Sequence, residues 1–281
     1  ALTTSQVNAL STAQLVALTK FQVAAMTTAQ IDQGLTTAHL AAFTTVQAVG
    51  LTTAHIRGLS TDQVAALSTA AMAVLSTQQI AVGLSTSQVS ALTTAQVLAM
   101  TTKQVAAMET EDQLVLSTDQ MLAMTSAQVA ALTTDQVVAL TVTQIAKLTT
   151  GDMAALTTEQ VAQGLGTVQV AALTTAQVAS LATAQINQGL TTTQVAAMET
   201  RDIAALSTEQ IKLGLTTEQV VALRTDQVRF GLSTTQINQG LSTAQVAALE
   251  TRNIAALSTE QVRFGLSTEQ VVALTTEQVA Q

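Results

Sequence analysis

The side chains best suited to chemistry in this chain are few. His39 and His55 are its two imidazoles, 16 residues apart, and a pair of imidazoles is the beginning of a metal site. Carboxylates recur at Asp62, Asp119, Asp135, Glu159, Glu209, Glu218, Asp226, Glu260, Glu269 and Glu277, a column that would suit an oxygen-ligated cation such as Ca²⁺. Three segments carry denser charge: Glu109-Thr110-Glu111-Asp112, Glu199-Thr200-Arg201-Asp202 and Glu250-Thr251-Arg252-Asn253. Arg229-Phe230 and Arg263-Phe264 are repeated cation–aromatic pairs. No Ser-His-Asp set, phosphate loop or Cys-x-x-Cys accompanies them, and Cys is absent altogether.

All of these residues fall at fixed places in one repeat. Leu-Thr-Thr-Ala-Gln-Val-Ala-Ala stands almost unvaried at Leu92, Leu173 and Leu241, and the chain tiles into 34 copies of it from Leu2 onward. Position 2 is Thr or Ser in 28 copies, position 3 is Thr in 31 and position 5 is Gln in 27. Thr or Ser followed three residues later by Gln is a capping box, in which the hydroxyl accepts from one orphan N–H of a helix start and Gln reaches back to another. The apolar residues at positions 1 and 6 then fall at the places of a hydrophobic staple. Each copy therefore encodes a complete helix start, and the next start arrives before two turns are finished.

This frame assigns the candidates structural duties. His39 and His55 occupy position 5 and replace the capping Gln. The acids occupy position 4, the second residue of each helix, where negative charge complements the helix dipole; they lack the spacing of an EF-hand. Glu199 and Arg201 are placed to pair across a turn. Phe230 and Phe264 are expected to pack beneath the glycine that follows each, and the methionines, at positions 1 or 6, to fill the core. The sequence assigns no catalytic residue, no cofactor site and no metal site, and the chain is read as not an enzyme.

The predicted fold is an all-α solenoid of very short helices, one per repeat of eight or nine residues, with residues 1–281 forming a single array. Helices of about six residues do not survive alone, because nucleation is costly, so each must be stacked on its neighbours. Eight copies carry a ninth residue, always glycine: Gly34, Gly83, Gly164, Gly189, Gly214, Gly231, Gly240 and Gly265. Each is expected in the left-handed conformation just past a helix end. From Leu156 onward such copies begin at Leu156, Leu181, Leu206, Leu232 and Leu257, every third copy, with an additional one at Leu223. That period predicts about three helices per turn. The uniform position 3 Thr predicts a ladder of hydroxyls between coils. A β-solenoid is the alternative, since Thr, Val and Ile favour strands; against it, the apolar positions do not alternate with period two.

Aromatic residues are 1% and charged residues 10% of the chain, with a net charge of −8. The charge disfavours nucleic acid as a partner, and Thr and Gln interrupt every apolar run, so no membrane span is expected. The chain begins inside the pattern at Ala1 and stops on a repeat boundary at Gln281, which suggests either an excised piece of a longer protein or a subunit that stacks end to end.

Arrays of Leu-Thr-Thr-Ala-Gln-Val-Ala-Ala-Leu resemble the octapeptide repeat tracts of very large bacterial secreted or surface proteins, often described as adhesins or haem-utilisation proteins. The resemblance covers the entire chain and implies an extracellular or cell-surface location. The implied role is structural, as a filament or tube subunit or a spacer. The alternative is an adhesin-type binding module with a Thr-rich or Phe/Arg surface and a cell-surface or carbohydrate partner. Leu132–Leu140 and Leu215–Leu223 are also similar to the first helix of TAL-effector DNA-binding repeats, although the second helix and the base-reading loop of that family are missing here.

Overall fold

In the computed structural model, which describes residues 2–280, each of the 34 copies forms one helical segment of four to six residues. No strand occurs among the described residues, so the β-solenoid is set aside. A typical copy shows how the octapeptide makes its helix. Thr101 is extended (φ −74°, ψ 157°); its Oγ1 accepts from Gln104 N–H at 3.2 Å, while its own N–H donates to Gln104 Oε1 at 2.6 Å. The helix Thr102–Ala107 then runs until Met108 N–H turns back to Val105 O at 3.2 Å. Met108 is extended again (φ −61°, ψ 141°) and leads directly to the next cap. Two extended residues, positions 1 and 2, are thus the whole connection between successive helices.

Residues divide into two compact units, Ala1–Leu140 and Thr141–Gln281. Within each, every helix packs on the helix three copies away. In the first unit, Lys20–Ala24 packs against Thr45–Gly50 and Thr28–Asp32 against Thr53–Gly58; in the second, Thr175–Ala179 packs against Thr200–Ala205. Three helices per coil is the periodicity that the glycines predict, and the first unit follows it as strictly as the second. Position 6 points inward, with Val64, Ile145 and Val246 fully buried, and position 1 closes the core beside it, as at Leu67 and Leu249. Met72, Met100, Met121, Met153 and Met198 are buried as expected. In each unit the core is built mainly of aliphatic side chains.

The glycines behave differently from the expectation. No glycine among the described residues has a positive φ, so none is a left-handed cap. In seven of the eight nine-residue copies the ninth residue is absorbed as a π-helical turn, Gln160–Gly164 for example, where Leu165 N–H donates to Gln160 O, five residues back, at 3.1 Å. The wider turn takes in one extra residue and still returns Leu165 to the core. Glycine is required there by close approach. A Cβ on Gly189 would stand 3.0 Å from Val161 Cβ, one on Gly214 3.1 Å from Ile186 Cβ, and one on Gly240 2.8 Å from Ile211 Cγ2. In the second unit the turns Gln160–Gly164, Gln185–Gly189, Gln210–Gly214, Gln236–Gly240 and Gln261–Gly265 stack one on another. Their glycines form the corner that the sequence period anticipates, for a steric reason and not a conformational one.

Candidate functional site

A helix leaves its last carbonyls without intrahelical partners, and 34 helices with two-residue connections multiply that shortage along the array. The position 5 glutamines meet it. Gln104 is 1% exposed; besides holding its own cap, its Nε2 donates to Met72 O at 2.8 Å and Leu75 O at 2.7 Å, the end of a helix in the preceding coil. Gln88 does the same to Ile56 O (2.7 Å) and Leu59 O (2.6 Å). In the second unit Gln227 bridges Val195 O (2.9 Å) and Met198 O (2.8 Å), and Gln270 bridges Ile237 O (2.8 Å) and Leu241 O (2.7 Å). One amide therefore starts its own helix with its oxygen and finishes another with its nitrogen. A ladder of buried glutamines ties coil to coil in each unit.

The two histidines are rungs of this ladder. His39 Nδ1 accepts from Thr36 N–H at 3.2 Å and its Nε2 lies 2.8 Å from Leu10 O; His55 repeats this with Thr52 N–H at 3.2 Å and Met26 O at 2.9 Å. A carbonyl oxygen can only accept, so Nε2 carries the proton, and both ring nitrogens are committed. Two copies of separation also place them in different columns of a three-helix coil, so the structure does not bring them together. Among the described residues no position 3 side chain is buried, and it is the buried glutamines that interlock the coils. Thr225 makes one contact between coils, its hydroxyl donating to Asn253 Oδ1 at 2.9 Å.

The acids are on the surface at helix starts. Glu218 and Glu269 are held below the usual carboxylate range first by their own backbone N–H groups and then by the hydroxyls of Thr216 and Ser267. A hydrogen bond from the Arg224 side chain depresses Asp226. Arg201 Nε meets Glu199 Oε2 at 2.8 Å, as the sequence anticipates, and Arg252 meets Glu250 in the same way, but these exposed pairs are worth little. No group of three or more potential metal ligands occurs among the described residues. The Phe residues correct an expectation: Phe230 and Phe264 are 70% and 61% exposed and do not pack beneath glycine. The guanidinium carbons of Arg229 and Arg263 lie 5.4 and 5.1 Å from their ring centres, and Lys20 Nζ lies 5.1 Å from that of Phe21. The ninth residue fills the space, and the ring is left outside.

An enclosed gap between Val97, Met100, Val105, Met108 and Gln113 holds about 10 Å³, at the limit of what one water needs. A larger, open apolar recess of about 290 Å³ is lined by Leu2, Val7, Leu10, Leu18 and Met26. No helix among the described residues is long and apolar enough to cross a membrane.

The ALTTAQ repeat matches residues 1–28, 47–77, 82–110, 105–142, 145–183, 195–229 and 246–281. The chain belongs to the ALTTAQ repeat family. The six letters of that name are positions 8 and 1 to 5 of the unit used above, so the family signature ends on the rung glutamine. No curated protein matches the ALTTAQ array. Among solved structures, the leucine-rich repeat-containing protein LegL7 from Legionella pneumophila aligns over 85% of this chain and 79% of its own at 11% identity, with a TM-score of 0.17, a likeness that carries no argument.

Proposed function

We propose that this ALTTAQ array is a structural protein, a spacer or filament segment whose length is set by the number of coils. The observation that supports it is the polarity of each coil. Glutamine amides donate on one face and helix-end carbonyls accept on the other, as in Gln88 to Ile56 and Leu59. A coil added in register, from the same chain or a second copy, meets ready-made partners, so the protein self-associates end to end. The setting is the bacterial cell surface or exterior, as in the surface proteins the repeat resembles, and the chain has no catalytic duty. Electron microscopy over a concentration series tests this. Fibres that lengthen with concentration identify a filament subunit, and single rods of constant length identify a spacer. Compact particles of no elongated form refute both.

A second reading has its own observation in Phe21, Phe230 and Phe264, exposed at 74%, 70% and 61% and each flanked by a cation. Aromatic faces on an extended scaffold suit an adhesin-type module that grips carbohydrate. Loss of glycan-array binding in a Phe230→Ala/Phe264→Ala variant would favour it, and an array with no binding of the unmodified chain would refute it.

A further inference from the structure

Five rungs lack an amide or imidazole long enough for the full bridge: Ala71, Asp112, Asp152, Asp202 and Asn253 stand at position 5 in place of glutamine. Asn253 shows what a short side chain does there. It is fully buried; its Nδ2 donates to Leu223 O at 3.0 Å and its Oδ1 accepts from Thr225. Asp202 lies two coils earlier in the same column and is also fully buried. Its Oδ2 accepts from Glu199 N–H at 3.2 Å, whereas its Oδ1 is buried with no hydrogen-bond partner. The register that pairs Asn253 with Leu223 and Thr225 pairs Asp202 with Leu173 and Thr175, at the start of the helix Thr175–Ala179 that packs against Thr200–Ala205. A carboxylate has nothing to donate to a carbonyl. A carboxylic acid has one O–H.

We infer that Asp112 and Asp202 are proton-gated rungs, each joining its coil to the preceding one only when its carboxyl group is protonated, so that these two coil contacts are firm in mild acid and loosened at neutral pH. The surroundings agree. For Asp202 the charged groups are Glu199 and Arg201 on its own copy, Glu209 and Lys212 on the next copy, and Arg224, Asp226 and Arg229 on the coil above; the helix Thr175–Ala179 carries none. Arg201 Nε is 3.9 Å from Oδ1 but is exposed and engaged with Glu199 at 2.8 Å, and Arg224 is engaged with Asp226 at 3.0 Å. For Asp112 they are Glu109 and Glu111 on its own copy, Lys103 and Asp119 on the adjacent copies, Asp135 on the coil above and Arg57 further away; the helix Thr86–Ser90 that packs below carries none. Burial, then Glu109 and Glu111, push the Asp112 carboxyl up to about 6 against the pull of Arg57. Burial is also the largest influence raising Asp202.

Hydrogen exchange of the full chain between pH 5 and 7.5, corrected for intrinsic rates, tests the inference. The unmodified chain is compared with Asp112→Asn and Asp202→Asn, in which the donor is permanent. Protection of residues 84–92 and 108–116 should fall about tenfold as the pH rises from 5 to 7.5 through the Asp112 value of about 6, and protection of 173–180 and 198–206 should fall in the same direction. Segments joined by the Gln104 rung should stay constant, and each Asn variant should flatten the pH response of its own segments alone. Flat protection in the unmodified chain overturns the inference, and so does an unchanged pH response in the Asn variants. Should an Asn variant fail to fold, Asp202→Gln, which restores the majority residue, serves in its place with the same expected result.

Discussion

Replacing Gln104 by Met tests the central physical claim, that the position 5 amide is an inter-coil fastener as well as a cap. Met keeps the length and bulk of Gln and removes every hydrogen bond. The change deletes the acceptor for Thr101 N–H and the donor that reaches Met72 O and Leu75 O. Met72 O keeps a bond from Leu75 N–H at 3.2 Å, while Leu75 O loses its donor. A lost cap costs about 1 kcal/mol, and a buried acceptor stripped of its partner costs about 1–3 kcal/mol more. The apolar gain of Met offsets a fraction of this, so the net loss is roughly 2–3 kcal/mol. Gln14→Met is the control: Gln14 caps Ser11 N–H at 2.9 Å but is exposed, so it should lose only the cap, about 1 kcal/mol. Repeat arrays open locally because their contacts are with nearest neighbours, so hydrogen exchange of residues 72–76 and 100–108 is the direct readout. Far-UV circular dichroism follows the global melt, since Trp and Tyr are absent. Equal losses in the two variants would refute the fastener and reduce Gln104 to a cap.

Glycine substitutions should split by sign. Gly240→Ala drives a methyl to 2.8 Å from Ile211 Cγ2 and should destabilise by about 1–3 kcal/mol through overpacking, whereas Gly58→Ala, whose Cβ would meet Asp32 Cβ at an easy 3.9 Å, should stabilise by roughly 0.4–1 kcal/mol; urea midpoints distinguish them. Ser60→Ala removes the acceptor for Gln63 N–H at 3.2 Å and should cost about 1 kcal/mol. Thr61→Val, at the exposed position 3 of the same copy, should stay within about 0.5 kcal/mol, and a larger loss would revive the hydroxyl ladder. Asp112 gives a pH dependence of defined sign. Its carboxyl is raised from 3.8 to about 6, so the folded state binds the proton more tightly than the unfolded chain. Its contribution is complete below the unfolded value, is lost as the pH climbs to about 6 and is flat above, a total of roughly 2–3 kcal/mol. Urea titrations at pH 4 and 7.5 of the unmodified chain and Asp112→Asn should differ by that amount.

Much of the fold was legible because its signals are local. The capping box fixes where each helix starts, the staple fixes which side chains turn inward, and the brevity of the unit forces stacking. The glycine period gave three helices per coil. What failed was any inference that depended on the coil above or below. Gly189, Gly214 and Gly240 carry no mark in the sequence that separates a steric requirement from a conformational one, and the π-helical turn that seats them is set by the residue count between successive inward leucines. Phe230 and Phe264 precede Gly231 and Gly265, at the ends of two further turns of this kind, and lie exposed there. The uniform position 3 Thr has no account beyond the contact of Thr225 with Asn253.

The ladder itself left a trace in the sequence. A capping box accepts Glu as readily as Gln at its third helical position, and Glu has the better charge for a helix start. Here that position holds Gln in 27 copies and Glu in none, while Glu is freely used one residue earlier, at Glu159, Glu209 and Glu260. The exclusion cannot be a matter of composition or of the dipole, since both positions lie in the first turn. It is explained once the side chain must donate as well as accept, which an amide does and a carboxylate does not. His39 and His55 obey the same requirement, with one nitrogen for each task. Asn253 meets it in part. The aspartates break it in the ionised state, and a buried carboxyl can restore it by keeping its proton. The rule that unites the glutamines and histidines is therefore also the rule that makes Asp112 and Asp202 sensitive to pH, and an array with aspartate at every rung would hold together only in acid.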